Sequence, residues 1–501
     1  MESIFKSPKQ CLLAAVMTGL FAGFCAPVLS ADMETLIDKL HEKGVLTEDE
    51  HQEMRTEARA ERREQALRDA QAEEKANKAK EENQLTGRFR EGFSWESADK
   101  ENSITLMGRI HADYRHFDVD SGSANLARSE TGNTFDIRRA YLGVTGKLYN
   151  DWTFELTSDL AASTVEYAWV NYKHSDAVQA RIGAFKMPFS YEELTSSRLI
   201  DFQERSLING LVPAKELGMS VFGSPTKWMS YAVALSNGAG KMMRETSAVV
   251  DNQDVIARVA FNFAELAQIP NTVLHLGLSG SEGTIPTGSA TTAALRTEGR
   301  GLQFFNTVTF LGIGPVANQK VDRDRTGLEL IAARGPFKFQ AETLKANFSG
   351  TSTGNVEFDR DIKASYAAFS WLVTGESFAD VYSLNGGRVI KPASPFKKGS
   401  GGWGAFEVGV RLSKFDAGDF TTTNPAGTGV LGNNCNGVGA CTNKADSLTV
   451  GLKWVPNTNT RVYLNYIKTD FDTPVGGVVE NGANTTVSGE KAITLRTAVF
   501  F

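Results

Sequence analysis

Beyond its first residues the sequence contains no long apolar segment. Residues 1–31 carry two lysines, continue with an apolar run from Cys11 to Cys25 and end in Val28-Leu29-Ser30-Ala31, which offers small residues for cleavage. This pattern predicts a secretory signal peptide. The apolar run is too short to span a bilayer, and no long apolar run follows it. The chain is therefore expected to be exported without a helical membrane anchor.

The sequence is also poor in features that mark an enzyme. It has six histidines in 501 residues, no H-E-x-x-H motif and no phosphate-binding glycine loop. None of His111, His116, His174 and His275 forms, with a serine, a pattern typical of a catalytic base and its nucleophile. We therefore expect no enzymatic activity, no cofactor and no metal site.

Cysteine is scarce, and two of the four cysteines fall in the predicted signal peptide. Cys435 and Cys441 remain, close together in the segment NNCNGVGACTN. In an oxidising compartment this spacing predicts a small disulfide-closed loop. No histidine or carboxylate cluster flanks the pair, which argues against metal binding there.

The composition changes sharply at residues 32–85. LIDKLHEKGVLTEDEHQEM predicts a helix that stops at Gly44 and a second helix capped by Thr47, with Glu50 completing a capping box. The continuation is rich in Ala, Glu, Lys and Arg and has few apolar residues, so it cannot bury a core alone. This α-helical periplasmic segment is either a solvated helix or a weak coiled coil supported by oligomerisation.

From residue 86 to residue 501 the pattern is all-β. Glycine is frequent (47) and proline is rare (14), and segments of alternating polarity recur between polar turns. Leu448, Val450 and Leu452, for example, alternate with Thr449 and Lys453. Such alternation is typical of a transmembrane antiparallel β-barrel, with apolar residues facing lipid and polar residues facing the lumen. The length allows about 25 residues per strand and connection for about 16 strands, and 18 strands are possible.

A soluble β-sandwich would show the same alternation. The great length without a domain break argues against it, and so does the final segment ITLRTAVFF. This segment ends on Phe501 and places Ile493, Leu495 and Val499 on one face.

The stretch from Val178 to Gly218 interrupts the barrel pattern. An alternating strand should end near Pro188, which lacks a backbone donor. A segment of about 30 residues without strand periodicity follows, and a loop that long is usually functional or disordered. Its apolar residues are too many for a solvated loop, so we expect a constriction loop over residues 188–217 that packs inside the lumen. These apolar residues are Leu194, Leu199, Ile200, Phe202, Leu207, Ile208, Leu211 and Val212.

Several of these segments resemble the phosphate-selective porin O and P family of trimeric outer-membrane channels. The resemblance covers most of the chain after about residue 100 and includes FKMPFSYEELTSS, FQERSL, RRAYLGVTGKL, SWLVTGE, GGWGAFEVGVRLSKFD and VGLKWVPNTNTRVYLNY. It implies a porin in the Gram-negative outer membrane, a homotrimer surrounded by lipid, and no nucleic-acid partner. Its solutes would be small anions, phosphate or polyphosphate among them. Resemblance to outer-membrane barrels also implies that the terminal aromatic strand is an assembly signal.

Family members place arginines toward the channel centre and lysines beyond it. By this resemblance the substrate-binding residues are expected to be Arg138, Arg139, Tyr141, Lys186, Ser190, Ser196, Ser197, Arg198 and Arg205. Arg198 and Arg205 remain alternatives for the central ligand. Four further arginines are expected in outer loops: Arg296, Arg300, Arg323 and Arg325. Glu192, Glu193 and Glu204 argue against phosphate specificity, because a carboxylate near the ligand weakens anion binding.

The placement of charge, and not its sum, favours anions. The formal net charge is −6. The polar faces of the clearest strands nevertheless carry more basic than acidic residues, and a cationic lining raises the local anion concentration. The basic residues are Arg109, Arg115, Arg139, Lys147, Arg181, Arg411, Lys453, Arg461 and Arg496, and the acidic ones are Asp113, Glu155, Asp159 and Glu407.

Three other interpretations stay open. These basic residues could pair with the lumen acids and only hold the wall together. The chain could be a general porin for small polar solutes without anion specificity. It could also be a structural tether that reaches peptidoglycan through residues 32–83.

Overall fold

The computed structural model of the chain describes residues 29–82, 85–89, 92–119, 133–238, 253–286, 295–305, 320–351, 357–399, 401–420, 442–480 and 483–501. The chain divides into two compact units, the first ending at Leu85 and the second beginning at Thr86. Most of the predicted signal peptide, and both Cys435 and Cys441, lie outside the described residues.

The first unit is a helical hairpin of α1 (Leu29–Glu42) and α2 (Glu48–Glu82). Gly44 follows α1 with φ of +67°, a left-handed conformation that glycine adopts without strain. The predicted capping box is confirmed, because the Thr47 amide and hydroxyl donate to the Glu50 carboxylate at 2.9 and 2.8 Å. No helix in the described ranges is long and apolar enough to cross a membrane.

Twenty strands follow in the part of the chain that the structure describes, with three short helical turns between them. The strands are β1 (Leu85–Phe89), β2 (Phe93–Ser97), β3 (Ser103–Val119), β4 (Thr134–Leu148), β5 (Trp152–Asp159), β6 (Thr164–Lys173), β7 (Gln179–Lys186), β8 (Lys215–Thr226), β9 (Met229–Ser236), β10 (Asp254–Asn262), β11 (Thr272–Pro286), β12 (Leu295–Arg296), β13 (Gln303–Phe305), β14 (Lys320–Arg334), β15 (Phe337–Thr351), β16 (Glu357–Leu372), β17 (Ala405–Asp416), β18 (Lys444–Asn457), β19 (Thr460–Glu480) and β20 (Ala483–Phe500). The helical turns are α3 (Tyr191–Leu194), the 3₁₀ turn Leu207–Gly210 and α4 (Phe263–Leu266).

Sixteen of these strands close into an antiparallel barrel. Eighteen strands share one sheet, and all of them except β1 and β2 form the wall. The wall closes where β20 pairs with β3, from Glu490 opposite Val119 to Phe500 opposite Arg109. β2 pairs with the stretch of β3 before this, β1 pairs with β2, and β12 pairs with β13 in a separate hairpin. The prediction of a barrel of about 16 strands is confirmed.

The alternation along the wall separates two environments. Val450 and Leu452 point outward and are 48% and 39% exposed, whereas Thr449 and Lys453 point inward and are buried. The same contrast recurs around the barrel, where large aliphatic and aromatic side chains are exposed on the outer surface. A continuous apolar band of this kind is typical of a lipid-facing surface.

The chain terminus takes part in closure. The Phe501 amide and carbonyl bond the carbonyl and amide of Gly108 at 3.1 and 2.6 Å. The Phe501 ring covers Gly108, where a Cβ atom would lie 2.1 Å from the ring carbon Cζ. A glycine at position 108 is therefore required for this close approach. Ile493, Leu495 and Val499 point outward, as predicted.

The connection between β7 and β8, residues 187–214, folds into the lumen; we call it the inward segment. It ends three residues before the expected boundary because Lys215, Glu216 and Leu217 pair with β7. Met187, Phe189 and six of the eight apolar residues noted in the sequence are buried. They pack with apolar residues on the lumen face of the wall, so the hydrophobic core lies inside the barrel.

In the described ranges two further connections enter the lumen, and neither was predicted. Residues 373–404, the second inward segment, come from the opposite end of the barrel, and the Gly387 amide donates to Thr195 Oγ1 at 3.0 Å. Residues 295–305 carry the β12–β13 hairpin, and Glu298 accepts hydrogen bonds from Arg411 (2.7 Å) and Thr449 (2.6 Å) on the wall.

The expected loop position of the four arginines is wrong for Arg323 and Arg325, whereas Arg296 and Arg300 do lie in a connection between wall strands. Arg323 and Arg325 lie on β14, buried in the wall, where both donate to Asp254. Arg296 and Arg300 lie in the inward-folded β12–β13 hairpin. Alternating polarity could not separate these strand residues from loop residues, because Asp322 to Thr326 is a run of charged and polar residues.

Candidate functional site

A cavity of about 480 Å³ lies between the inward segment and the wall from β3 to β10. Its lining includes five basic side chains and one carboxylate, that of Glu155. We call it the cationic cavity. The basic residues are Arg109, Arg181, Lys186, Arg198 and Arg258.

Arg109 is held by neutral groups. It lies opposite Tyr141 in the β3–β4 pairing, and its guanidinium stacks 4.8 Å from the centre of the Tyr141 ring. Nη1 donates to Ser197 Oγ at 2.7 Å and Nη2 donates to Ser196 Oγ at 3.2 Å. Within the described part of the chain Arg109 forms no ion pair, so no adjacent carboxylate neutralises its charge.

Arg181 is held by aromatic rings. Its guanidinium lies 4.1 Å from the Trp169 ring centre and 4.8 Å from that of Phe222. Such stacking occupies the face of the guanidinium and leaves its N–H edge for hydrogen bonds. Arg181 has no ion pair among the residues that the structure describes, and its Nε is buried without a hydrogen-bond partner there.

Two basic residues of the predicted site hold the inward segment in shape. Lys186 Nζ donates to the carbonyls of Glu193, Leu194 and Thr195. Arg205 donates to the carbonyls of Glu192 (3.1 Å), Glu193 (3.2 Å) and Thr195 (2.8 Å). Its guanidinium also pairs with the Glu193 carboxylate at 3.2 Å. Arg205 therefore bonds within the inward segment and does not belong to the cavity lining. Lys186 bonds the same segment and also belongs to the lining.

Ser190 has a local structural role. It adopts φ of +62° and caps α3, since its Oγ accepts from the Glu193 amide at 3.3 Å. A left-handed serine is uncommon, and the cap helps to hold it.

Glu204 of the inward segment forms ion pairs with several arginines outside the cavity lining. Its Oε1 lies 2.6 Å from Arg496, 3.1 Å from Arg138 and 3.4 Å from Arg115. Burial raises the pKa of Glu204, but the charges of Arg138, Arg496 and Arg139 outweigh that effect and hold the pKa well below its usual range. Glu204 is therefore ionised and neutralised by its neighbours.

Arg139 is buried close to this cluster, but it forms no ion pair with any residue in the described ranges. Its Nη1 has no hydrogen-bond partner there. Its charge nevertheless contributes to the lowered pKa of Glu204, so Arg139 interacts with that carboxylate over a longer distance than an ion pair.

Much of the remaining basic lining is paired with acids. Arg411 binds Glu192 (3.1 Å) and Glu298 (2.7 Å). Lys453 binds Glu407 at 2.5 Å, and Lys338 binds Asp201 of the inward segment at 2.7 Å. For these residues the interpretation as wall-stabilising pairs fits the structure.

The structure thus brings together part of the predicted set. Tyr141, Lys186, Ser196 and Arg198 line the cationic cavity, and Ser197 reaches its edge through Arg109. Arg138 and Arg139 lie beside Glu204, outside the cavity lining.

Sequence reasoning missed several residues of the cavity as site residues, among them Arg109, Arg181, Arg258 and Asn385. Arg109 and Arg181 were predicted only to face the lumen. Two signals could have assigned them to the cavity. Arg109 pairs with Tyr141 across two strands, and the lumen-side Phe185 follows Arg181 by four residues. Asn385 comes from the second inward segment and bonds Arg258 at 3.0 Å, and no local pattern marks it.

Comparisons with known proteins bear on the whole barrel. The family model described as phosphate-selective porin O and P matches residues 104–474. Porin O of Pseudomonas aeruginosa is 27% identical over 415 residues, which are 76% of this chain and 86% of that protein. Among solved structures, an anion-selective porin from Comamonas acidovorans matches with a TM-score of 0.47 and 13% identity, covering 80% of this chain and 100% of that one. The outer-membrane channel DcaP of Acinetobacter baumannii matches with a TM-score of 0.46 and 10% identity, covering 81% and 99%.

Proposed function

The chain belongs to the phosphate-selective porin O and P family and is an outer-membrane porin; we propose that its pore passes small anions, phosphate or polyphosphate among them, through the cationic cavity. The observation that carries this proposal is the pair Arg109 and Arg181. Both line the cavity, and neither is neutralised by an ion pair within the described residues.

The electrostatic effect of such a pair is large enough to matter. At about 4 Å a unit charge attracts an anion by about 1 kcal/mol in bulk water and about 4 kcal/mol near a protein surface. Of the five basic side chains in the lining, Arg258 pairs with Glu329 at 2.6 Å and Lys186 lies 3.6 Å from Glu193. The attraction therefore depends mainly on Arg109 and Arg181, and the single carboxylate of the lining, Glu155, opposes it. An anion that enters should therefore be favoured over a cation.

The donors also suit an oxyanion. A guanidinium can donate two parallel N–H bonds to one oxyanion, and a serine hydroxyl can add another. Arg109 now donates to Ser196 and Ser197, so an entering anion can replace neutral acceptors without separating an ion pair. This exchange costs less than breaking a buried salt bridge.

The acids of the inward segment do not oppose this proposal. Glu193 is bound by Arg205, and Glu204 is bound by Arg138 and Arg496. Neither carboxylate belongs to the cavity lining. These glutamates should therefore weaken phosphate binding less than the sequence suggested.

The test is planar-bilayer conductance of the purified protein. The reversal potential in a KCl gradient measures anion-over-cation selectivity, and phosphate added to chloride measures block. Arg109→Gln and Arg181→Gln should each lower selectivity. Each should also weaken phosphate block by about 10- to 150-fold if one charge-assisted bond of about 1.5–3 kcal/mol is lost.

The matched control is Lys227→Gln, which removes one positive charge from an exposed position in the β8–β9 turn. It should change the reversal potential little, and less at high salt, because exposed charges are screened. If Arg109→Gln, Arg181→Gln and Lys227→Gln all behave like the wild type, the cavity is not the selectivity site.

A general porin for small polar solutes is the second candidate. The wall ion pairs of Arg411 and Lys453 favour it, because they cancel part of the positive lining. A neutral sugar distinguishes the two functions. It should block or permeate as well as phosphate in a general porin, and more weakly than phosphate in an anion channel.

The enzyme and tether hypotheses have less support. Gly350-Thr351-Ser352-Thr353-Gly354 matches the G-x-S-x-G pattern, but a nucleophile elbow joins a strand to a helix. Ser352, Thr353 and Gly354 lie outside the described residues, and the next described element after β15 is the strand β16. A tether need not conduct, and the conductance measurement above therefore tests that alternative as well.

We also propose that the porin assembles as a homotrimer. β5, β7 and β9 have eight residues each, fewer than the about 9–11 of a strand that spans a bilayer. β19, in contrast, has 21. Where the wall strands are shorter than the bilayer is thick, a neighbouring subunit covers the wall better than lipid does. Cross-linking of the protein in detergent should give a trimer, and a monomer only would contradict the proposal.

A further inference from the structure

A cluster of possible metal ligands lies in the helical hairpin of the first unit. His41 is near the end of α1, Glu48 is the first residue of α2, and His51 follows one turn later. One ligand atom from each lies within 4.8 Å of the others. His41 Nε2 lies 3.1 Å from Glu48 Oε2, and the two imidazole rings stack with their centres 4.4 Å apart.

The hydrogen bonds of His51 free one nitrogen for a ligand. Its Nε2 lies 2.8 Å from Asp38 Oδ1, and a carboxylate accepts, so Nε2 carries the proton. Nδ1 is then left with its lone pair. His51 is only 8% exposed, and its Nδ1 has no hydrogen-bond partner in the part of the chain that the structure describes. A buried nitrogen without a partner is costly and requires an explanation.

The hydrogen bond of His41 likewise leaves one of its ring nitrogens with a lone pair. Its Nδ1 lies 3.3 Å from the carbonyl oxygen of Leu46, which can only accept, so Nδ1 carries the proton. The lone pair of Nε2 then faces the carboxylate of Glu48. Two acceptors at that distance require a proton or a metal cation between them.

We propose that His41, Glu48 and His51 bind a divalent transition-metal ion of the zinc type. Two imidazole nitrogens and one carboxylate oxygen are ligands that such ions prefer, and a water molecule would complete four-coordination. Asp38 would orient His51, as outer carboxylates orient metal-binding histidines in other proteins. The side chains of His41 and Glu48 are 34% and 67% exposed, so they can close around an ion.

No metal site was expected from the sequence, and its local patterns do not reveal this one because the three ligands come from two helices. Gly44 turns the chain and the Thr47–Glu50 capping box starts α2, and together they bring His41 and His51 to one place. A bound ion would join the two helices at their turn. It should therefore stabilise the hairpin by its binding free energy.

The experiment uses the full-length protein in detergent, treated with EDTA and dialysed. Zn²⁺ is titrated in competition with a chromophoric chelator, and Co²⁺ is titrated while its visible absorption reports the coordination geometry. One saturable site per chain is expected. His41→Ala and His51→Ala should abolish it, and Asp38→Asn should weaken Zn²⁺ by about 10- to 100-fold, the effect typical of an outer-shell change.

His174→Ala is the matched control, because His174 is exposed in the β6–β7 turn, away from this cluster in the sequence. It should bind Zn²⁺ like the wild type. Glu48→Gln removes the most exposed ligand, so this variant should fold even if the histidine variants do not. Its far-UV circular dichroism and its conductance should both stay normal. Absence of saturable Zn²⁺ binding by the wild type, or equal binding by the wild type and a His41→Ala/His51→Ala double variant, would overturn the proposal. Both results are independent of anion conduction.

Discussion

Replacement of Arg205 by alanine should loosen the inward segment rather than remove an anion ligand. The resemblance left Arg198 and Arg205 as alternatives for the central ligand. In the structure, the Arg205 guanidinium donates to three main-chain carbonyls of the inward segment and pairs with Glu193. Arg198, in contrast, lines the cationic cavity.

The size of the effect follows from burial. Removing one partner of a buried ion pair typically costs about 3–5 kcal/mol, because the remaining charge is left in the interior. Arg205→Ala would remove the guanidinium that lies 3.2 Å from the buried Glu193 carboxylate, while Lys186 would remain with its Nζ 3.6 Å away. At about 1.4 kcal/mol per factor of ten, the opening equilibrium of the segment should rise by about 10²- to 10³-fold or more, limited by the stability of the segment itself. Arg205→Lys should recover part of this, since the charge stays while the fork is lost.

Hydrogen exchange followed by mass spectrometry measures this opening directly. Peptides from residues 187–214 should exchange faster in Arg205→Ala, while peptides from β19 serve as the internal reference. Single-channel recordings should show added current noise as the segment fluctuates. Arg198→Ala is the matched control from the same segment, and it should lower anion selectivity with little change in exchange.

The opposite result would refute this reasoning. If Arg205→Ala exchanges like the wild type but loses phosphate block, Arg205 acts as a ligand and its carbonyl bonds do not stabilise the segment. Conversely, rapid exchange in Arg198→Ala would show that the two arginines share the structural role.

Three other predictions follow from the described contacts and from the sequence. Deletion of Phe501 should lower the heat-modifiable folded fraction on gels, because its backbone and ring both contact Gly108; a normal membrane yield would contradict the role of the terminus. Cys435 and Cys441 should resist alkylation in the mature protein, and their joint replacement by serine should leave conductance unchanged; two reactive thiols would disprove the disulfide. Glu204 has a lower pKa in the folded protein than the value of about 4.3 expected in the unfolded chain. Its ionised form therefore stabilises the fold above about pH 4.3, and this stabilisation is lost only as the pH falls through the lower pKa of the folded state. Conductance should stay constant down to about pH 4.5. A transition near the ordinary glutamate pKa that disappears in Glu204→Gln would show that the arginines do not hold Glu204 ionised.

The barrel could be predicted because its signal is local. Each wall strand contacts lipid on one face and the lumen on the other, so the contrast between Val450 and Lys453 appears within a few residues of sequence. The inward segment could also be inferred, since Phe202, Leu207 and their apolar neighbours need a core. These inferences require only periodicity and composition.

The contents of the lumen could not be predicted in the same way. The second inward segment and the β12–β13 hairpin contain buried apolar residues such as Phe378 and Phe304, but neither shows a sustained alternating pattern. Distant partners fix them, such as Arg258 for Asn385 and Arg411 for Glu298. The same limit applies to the site. A sequence shows that Arg205 and Arg109 are both cationic, but only the fold shows that carbonyls bind the first and hydroxyls the second.

The bonds of Arg496 connect the order of folding to the width of the pore. Arg496 lies on β20, the final strand, and donates to the Gln203 carbonyl and to Glu204 of the inward segment. These bonds span nearly three hundred residues and can form only when β20 has docked on β3 to close the wall. A chain whose last strand is still unpaired therefore lacks both the seam of the barrel and one of the anchors of its constriction. Closure of the wall and one of the contacts that hold the constriction therefore depend on the same strand.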